Sequence, residues 1–434
     1  MLLTDVVLSL ANDLGRTEVW PRQPGCSRPS LGPQPARSDR DGMLRRLATL
    51  AAGVLLGLGL PVPARAATVA CGPAADSPRC TVWMGRVAWV PDGDTLIVTV
   101  NGTKTARSIR LIGVQAMEQH TYSPRPANRT GECHALEATA RVEHLVRAGG
   151  GVVRLTAQDA RSTSRGRPLR SIAVRINGRW VDIGQDLIKR GYALWLPFAG
   201  EWAWDAAYAR AQATASTRST GMWNDHYCGT GPAASMTVWA NTQGHEGEFV
   251  RIGNTGRRAV DLTGWWVRDS GLRRYTFRRG TVVPAGGHVY VHVGKGRDTV
   301  TDRYWGLNGQ IFTNPDPARH ALGDGAYLFD PQGDLRESFL YPCPLRCASP
   351  LTGKVTLRPE NGAIALVNTG SAAVNLQGHM LVAERWQHRF DEKTLLQPGE
   401  ALSFARRPTM RLQTADMWTV ASYSDAGPGS PLRQ

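Results

Sequence analysis

Hydrophobic residues between positions 82 and 114 occur in short runs that are rich in β-branched side chains. Residues 82–100 give two such runs, separated by the sequence PDGD at 91–94, and a third run at 108–114 follows Asn101-Gly102. Asp-Gly and Asn-Gly between apolar runs are typical of hairpin turns. The pattern therefore predicts three consecutive antiparallel strands.

The apolar spacing becomes helical after position 134. Apolar residues between 135 and 146 recur near helical intervals, and Gly149-Gly150-Gly151 ends the segment. Two more strands, at 152–157 and 171–176, lead to helical segments at 181–194 and 201–219, the second of which is rich in alanine. Five strands with interspersed helices predict a small Greek-key barrel of the OB type.

Residues 229–236 are rich in Gly, Pro and Ser and predict a linker. The region beyond them has short alternating strands, turns and no convincing helix, which favours a β-sandwich. Residues 249–264 also align with residues 363–378, sharing Asn-Thr-Gly, a Val-x-Leu pair and a closing Gly. This repeat predicts two related sandwiches, of which the second is shorter and more degenerate.

The fold class that follows is multidomain: an OB-fold β-barrel with helices (α+β), then one or two β-sandwich domains. We place the barrel at residues 81–228, the first sandwich at 237–342, and the degenerate second sandwich with its tail at 351–434. A chain of 434 residues is too long for one compact core, which agrees with two or three domains.

Residues 43–66 have the features of a secretory signal peptide: arginines after Met43, an apolar run and a closing Ala64-Arg65-Ala66. Residues 1–42 precede it and are either a disordered extension or the result of a misassigned start. The apolar run is too short to span a bilayer comfortably, and we expect no transmembrane anchor elsewhere. We therefore expect an exported protein, extracellular or associated with the cell envelope.

Six cysteines remain once the first 66 residues are removed, and an even number in an exported protein predicts three disulfides. Six cysteines allow fifteen connectivities, so proximity along the chain gives only a preference. Residues 67–80 would then be a disulfide-bearing lead to the barrel. The preferred pairs are Cys71 with Cys80, Cys343 with Cys347, and Cys133 with Cys228.

The formal net charge is +15, and the pI is about 10.0. Such a balance favours polyanionic partners, either nucleic acid or an acidic cell envelope. Codon bias toward arginine is an alternative explanation, so charge alone does not decide the function.

Four short motifs in the predicted barrel occur in a defined order. Asp92-Gly93-Asp94-Thr95 is followed by an Arg-Leu-x-x-Val strand from Arg110 that leads to Glu118, then by Gly166-Arg167-x-Leu169 and by Gly191-Tyr192-Ala193. Each motif alone is weak evidence. In this order, on predicted strands and turns across residues 81–228, they resemble the thermonuclease (staphylococcal nuclease) family.

The resemblance implies a role for each matching residue. Arg110 and Arg167 match the family's phosphate-binding arginines, and a forked, permanently charged guanidinium suits a phosphorus centre that gains negative charge. Glu118 matches the glutamate that orients or deprotonates the attacking water. Arg170 is the fallback for Arg167, because the Gly-Arg-x-Leu motif is short and stands beside an atypical loop.

The same resemblance implies a calcium site, in which Asp94 matches a direct ligand and Asp92 a supporting carboxylate. Gln115 stands where the family usually has aspartate, and Ala116-Met117 replaces its Thr-Pro or Ala-Pro. The Gln115 carbonyl oxygen still offers a tentative ligand. One ligand charge is lost, so we expect weaker calcium affinity or a different divalent metal.

Two insertions, at 119–133 and 160–166, flank the expected site. Their arginines either contact phosphates along a strand or are simply solvated, and nearby tryptophans either stack on bases or, as we favour, pack in the core. Scattered histidines are more often structural than metal ligands. The arginines are Arg125, Arg129, Arg161 and Arg165, the tryptophans are Trp195, Trp202 and Trp204, and the histidines are His120, His134 and His144.

The first sandwich resembles the lamin-tail domain, an immunoglobulin-like fold. The resemblance rests on residues 248–271, Pro284-Ala285-Gly286, Tyr304-Trp305-Gly306 and Asp324-Gly325-Ala326. It implies targeting or adhesion, through a cell-envelope ligand for example, and it places Leu262 and Trp265 in the core. The second copy lacks the Trp pair and the Tyr-Trp-Gly element.

Together these features predict a secreted, metal-dependent nuclease that hydrolyses DNA or RNA and carries β-sandwiches for targeting or adhesion. The alternative is a nucleic-acid- or envelope-binding protein whose barrel has lost turnover. Retention of both arginines and the glutamate favours turnover, because a binding protein has no need of a glutamate that faces a phosphate.

Overall fold

The computed structural model describes residues 68–71, 77–229, 236–241, 247–343, 347–384, 386–390 and 392–426. These residues belong to one compact unit, residues 64–434. The expected extension at 1–42, the signal peptide at 43–66 and most of the linker at 229–236 lie outside the described residues. The domain boundaries stay predictions.

The described residues between 68 and 229 form twelve strands and three α-helices, with short 3-10 turns at Pro126–Asn128, Ala199–Trp204 and Gly221–Trp223. The helices are α1 (Ala135–Ala148), α2 (Ile183–Lys189) and α3 (Asp205–Thr217). The strands are β1 (Thr68–Ala70), β2 (Arg79–Asp92), β3 (Thr95–Val100), β4 (Ala106–Leu111), β5 (Val114–Ala116), β6 (Gln119–Thr121), β7 (Thr130–Gly131), β8 (Val152–Ala157), β9 (Thr163–Ser164), β10 (Arg167–Ile176), β11 (Arg179–Asp182) and β12 (Ala193–Trp195).

Five of these strands close into a barrel. Strand β2 pairs with β3, β3 with β4, β4 with β10 in parallel, β10 with β8, and β8 again with β2. The long β2 pairs with both β3 and β8 and so closes the ring of strands. Register shifts near Trp89 interrupt its pairing with β3, as β-bulges do where a strand bends. The OB-type barrel predicted from the turns and periodicity is confirmed.

The first sandwich contains two four-stranded sheets, in the orders β13-β14-β19-β20 and β17-β16-β21-β22, and a small β15-β18 ladder. A 3-10 turn lies at Pro317–Arg319. The strands are β13 (Met236–Asn241), β14 (Phe249–Asn254), β15 (Val260–Asp261), β16 (Trp266–Arg268), β17 (Arg274–Thr276), β18 (Val282–Val283), β19 (His288–His292), β20 (Asp302–Tyr304), β21 (Asp324–Phe329) and β22 (Leu335–Tyr341).

The second sandwich repeats this order without a counterpart of β20. Its sheets run β23-β24-β29 and β27-β26-β30-β31, with a small β25-β28 ladder. The strands are β23 (Val355–Glu360), β24 (Ala363–Asn368), β25 (Val374–Asn375), β26 (His379–Ala383), β27 (Trp386–Arg389), β28 (Leu395–Leu396), β29 (Ala401–Ala405), β30 (Thr409–Thr414) and β31 (Thr419–Ser424). The immunoglobulin-like sandwich fold is confirmed, and the second copy is indeed the shorter.

A buried asparagine explains why Asn-Thr-Gly recurs in both sandwiches. The Asn254 amide donates to the carbonyl oxygens of Arg258 (2.7 Å) and Val283 (3.1 Å), which ties the turn to the β15-β18 ladder. In the second copy Asn368 donates to Ala372 and Leu396 at 2.9 Å each. A buried amide must find such partners, so the repeated motif preserves one turn geometry.

The three preferred cysteine pairs all lie at disulfide distance. The Cα–Cα separations are 5.1 Å for Cys71 with Cys80, 5.9 Å for Cys133 with Cys228, and 5.7 Å for Cys343 with Cys347. Within the described ranges, no helix is both long and apolar enough to cross a membrane.

The barrel and the first sandwich share a buried apolar cluster, which we call the joint cluster. The barrel contributes Met117, Ala135, Leu194, Ala215, Met222 and Trp223, and the sandwich contributes Trp266, Tyr327, Phe329 and Leu335. The Gln212 amide of α3 also donates to the Tyr327 hydroxyl across this boundary, at 2.9 Å. The two folds are therefore packed as one body.

Candidate active site

Arg110 enters the site from the end of β4, beside Leu169 in the parallel β10. Only 6% of the residue is exposed, so its charge needs partners. One guanidinium nitrogen, Nη1, lies 2.5 Å from Asp94 Oδ1, and the other, Nη2, donates to Gln115 Oε1 at 2.8 Å. This pairing fixes the guanidinium in one orientation.

The Asp-Gly-Asp-Thr turn delivers Asp94 to the segment that leads to the glutamate. Asp92 Oδ1 accepts from the Asp94 backbone amide at 3.1 Å, and Asp94 Oδ2 accepts from the Ala116 amide at 3.0 Å. A side chain at Gly93 would collide with Ala138 of α1, since an added Cβ would stand 2.5 Å from its methyl group. The glycine therefore allows the turn, the helix and the segment that leads to Glu118 to meet.

Glu118 lies between β5 and β6 and is partly buried. Burial raises the pKa of its carboxyl group, the Asp94 charge raises it further, and Arg110 opposes the shift. Its backbone amide donates to Glu132 Oε2 at 3.2 Å, while Glu118 Oε1 accepts from Gln115 Nε2 at 3.1 Å. A carboxylate with a raised pKa is a stronger base toward a water molecule.

Arg167 begins β10 and turns toward the same place. Its Nη1 donates to the Thr95 hydroxyl at 3.3 Å, and with Arg110 it lines a cleft of about 350 Å³. Arg170, the fallback, is engaged elsewhere: it donates to the carbonyl oxygen of Ala160 at 2.6 Å, and its guanidinium lies 3.8 Å above the Trp83 ring. Geometry therefore favours Arg167 over Arg170.

The amide of Gln115 occupies the place where oxygen atoms of the site converge. Its Nε2 lies 3.4 Å from Asp94 Oδ2, 3.0 Å from the Ala116 carbonyl oxygen and 3.1 Å from Glu118 Oε1. Turning the amide over would present Oε1 to these oxygens but place its NH₂ group against the guanidinium of Arg110. The hydrogen bond from Arg110 thus holds the nitrogen inward.

This arrangement does not fit a calcium ion while the Gln115 amide stays where it is. Calcium selects six to eight oxygen ligands, and here an NH₂ group fills the centre. Asp94 Oδ1 is taken by Arg110. Burial, and then the Asp94 charge, raises the pKa of Asp92 to about 7, which weakens it as an anionic ligand. The role of Gln115 as a ligand stays a prediction that requires the amide to turn over.

The tryptophans and arginines that the sequence offered as nucleic acid contacts lie in different environments. Trp195 and Trp204 are buried in the barrel core, and Trp202 stacks on His320 of the sandwich with centroids 3.9 Å apart. Arg129 is buried against Glu143 at 2.6 Å, whereas Arg161 is exposed beside Asp159. Arg165 lines the cleft, and Arg125 is exposed.

The histidines do not form one metal-binding group among the residues that the structure describes. His120 and His144 are exposed, while His134 is buried beside Cys133 and Cys228. Burial lowers the pKa of His134, and its ring lies 4.3 Å from that of Tyr227. A structural role for His134 agrees with this position.

Sequence reasoning missed the residues that the sandwich brings to the cleft. Asp269, Leu272, Arg273 and Ile311 line it together with barrel residues, and Glu132 accepts a hydrogen bond from the Glu118 backbone amide. No sequence motif predicts these residues as part of the cleft, because they come from a different domain or from an insertion. The one sequence feature that hinted at them was the unusual Met117, which is buried against the first sandwich in the joint cluster, next to Glu118.

Comparison with known families agrees with this geometry. A family model described as staphylococcal nuclease homologue matches residues 108–225, and one described as Lamin Tail Domain matches residues 231–342. No curated protein matches the sequence. The first match starts after the Asp92–Asp94 turn, which the structure joins to the same barrel through β2 and β3.

These matches and the fold together identify the chain as a staphylococcal nuclease homologue domain followed by a lamin tail domain.

Proposed function

We propose that the barrel hydrolyses phosphodiester bonds in DNA or RNA. The observation that carries the proposal is that Arg110 and Arg167 line a single cleft, while Glu118 is joined to Arg110 through the Gln115 amide. Two guanidinium groups in one cleft, with a partly buried carboxylate linked to one of them, suit phosphoryl transfer, in which positioning and charge stabilisation supply most of the rate.

In the proposed reaction, the water oxygen forms a bond to phosphorus while the bond to the leaving oxygen breaks. Glu118 accepts the proton of the water, and the leaving oxygen takes a proton from solvent. Arg110 and Arg167 stabilise the negative charge that grows on the non-bridging oxygens. Arg110 reaches this state with little reorganisation, because Asp94 and Gln115 already hold it.

A secreted or envelope-associated location is part of the proposal. Three cysteine pairs at disulfide distance support an oxidising compartment. The lamin tail domain would then bind a cell-envelope ligand and keep the nuclease near its nucleic acid substrate. The rival function, nucleic-acid or envelope binding without turnover, predicts binding of the same polyanions but no cleavage.

We infer that dependence on a divalent metal is weak. Domains of this family usually use calcium, whose charge would help to neutralise the phosphate and polarise the water. Here the Gln115 amide donates hydrogen bonds to the Ala116 carbonyl oxygen and to Glu118, so these oxygens have partners without a cation, although the neutral amide supplies no positive charge. Asp94, Glu118 and the Ala116 carbonyl would hold a cation once the amide is removed.

Arg167→Ala tests the proposed function. We expect kcat/KM for a labelled DNA or RNA strand to fall by about 10²–10³-fold, because one charged donor to the transition state is lost. Arg175→Ala removes the same charge from an exposed position of the barrel that does not line the cleft, and it should leave cleavage unchanged. Equal activity of the two variants contradicts the assignment, and tight binding by the unaltered protein without cleavage supports the rival.

The pH profile tests the role of Glu118. A base must be ionised, so kcat/KM should fall as the pH drops through the raised pKa of Glu118, at a higher pH than for an ordinary glutamate. Glu118→Gln should remove both the activity and this acidic limb. Asp92→Asn is the control, since the Asp92 pKa of about 7 is the other source of such a limb. If the acidic limb persists in Glu118→Gln and disappears in Asp92→Asn, Glu118 is not the base.

Gln115→Asp tests the metal inference independently of activity. The change removes the NH₂ group from the oxygens and adds a negative charge, so calcium binding measured by calorimetry should tighten by at least tenfold. Gln332→Asp adds the same charge at an exposed position of the sandwich and should leave the calcium affinity as it is. Unchanged calcium affinity in Gln115→Asp would show that the amide is not the obstacle.

A further inference from the structure

The cleft that holds Arg110 and Arg167 has two walls, and the second belongs to the lamin tail domain. Strands β16 and β17 form a hairpin, and four residues of its turn, Asp269 and Gly271 to Arg273, line the cleft together with residues of the barrel. Ile311 extends the same wall. A substrate that reaches Arg110 therefore passes the sandwich as well as the barrel.

Ionic contacts fix this hairpin against the segment that carries Glu118. Arg274, the first residue of β17, places Nη1 2.7 Å from Glu132 Oε1. The backbones of Glu132 and Glu118 are joined at 2.8 Å, and Glu132 Oε2 accepts from the Glu118 amide. The Arg274 guanidinium also lies 4.8 Å above the ring of Trp266, a member of the joint cluster.

The most exposed charge on this wall is the guanidinium of Arg273. It forms no hydrogen bond or ion pair with any residue that the structure describes, although its charge acts on the Asp269 carboxylate. Asp269 is half-buried in the turn, where its Oδ1 accepts from the Gly271 amide at 2.8 Å. Burial raises the pKa of Asp269 to about 6, and the charge of Arg268 opposes the shift, so the carboxyl group is mostly ionised at neutral pH.

We propose that the lamin tail domain completes the substrate-binding cleft and that Arg273 binds a backbone phosphate of the nucleic acid strand. This inference rests on the proposed nuclease function. The phosphate is a neighbour of the one held by Arg110 and Arg167, because the three arginines line the same cleft. The lamin tail domain then takes part in substrate binding as well as in targeting.

An arginine that contacts phosphate contributes to binding in the ground and transition states alike. Losing it should therefore raise KM and leave kcat nearly unchanged. It should also reduce the salt dependence of binding, because each phosphate contact to a single strand changes the slope of log Kd against log salt by about 0.7.

The experiment compares Arg273→Ala with Arg279→Ala in the full chain, using a labelled single-stranded oligonucleotide. Arg279 is an exposed arginine of the same domain that does not line the cleft, so it controls for net charge. Cleavage is measured for kcat and KM. Binding is measured by anisotropy over a range of salt concentrations with Glu118→Gln added to each protein, so that the strand is not cut.

We expect Arg273→Ala to raise KM about 3–10-fold and to lower the salt slope by about 0.7, while Arg279→Ala changes neither. Arg273→Lys, which keeps the charge, should retain the slope. Identical behaviour of Arg273→Ala and Arg279→Ala, with cleavage by the unaltered protein intact, overturns the proposal and leaves the nuclease function standing. Failure of the unaltered protein to bind or cleave overturns both.

Discussion

The apolar packing between the barrel and the first sandwich is the contact on which the site depends. Met117 lies in the joint cluster and directly precedes Glu118, so the segment that carries the acidic side chain is fixed from outside the barrel. The ion pair of Arg274 with Glu132 gives the backbone of Glu118 a second support from the sandwich. Without the lamin tail domain, this segment would lose the neighbours that bury and position it.

Charge interactions determine the orientation of Arg110 and the pKa of Glu118. Arg110 is buried and survives there because Asp94 and Gln115 satisfy its guanidinium, which also aims it. Burial, and then the charges of Asp94 and Glu132, raise the pKa of Glu118. Where relatives of the family usually hold a calcium ion, the Gln115 amide lies among the oxygens. The site therefore keeps the two arginines and the glutamate of the motif, while the surroundings of its carboxylates differ from a calcium site.

Local signals predicted much of this, and contacts distant in sequence explain what they missed. The turns at 91–94 and 101–102 place β2, β3 and β4 in order, and the repeated Asn-Thr-Gly predicts two sandwiches because Asn254 and Asn368 make the same bonds. Residue type alone could not show that Arg170 donates its hydrogen bonds to backbone carbonyl oxygens, nor which way the Gln115 amide points. Arg273 could not be placed at the cleft, because its position depends on how the two domains pack.

Unfolding of the intact chain by calorimetry, with and without Phe329→Ala, tests the shared packing most directly. Phe329 is fully buried in the joint cluster, and its ring stacks on Trp266 with centroids 4.0 Å apart. If the barrel and the first sandwich form one body, they unfold in a single transition. Phe329→Ala then lowers the free energy of unfolding in that transition by about 3–5 kcal/mol. A separate barrel transition that the variant leaves in place would contradict this account.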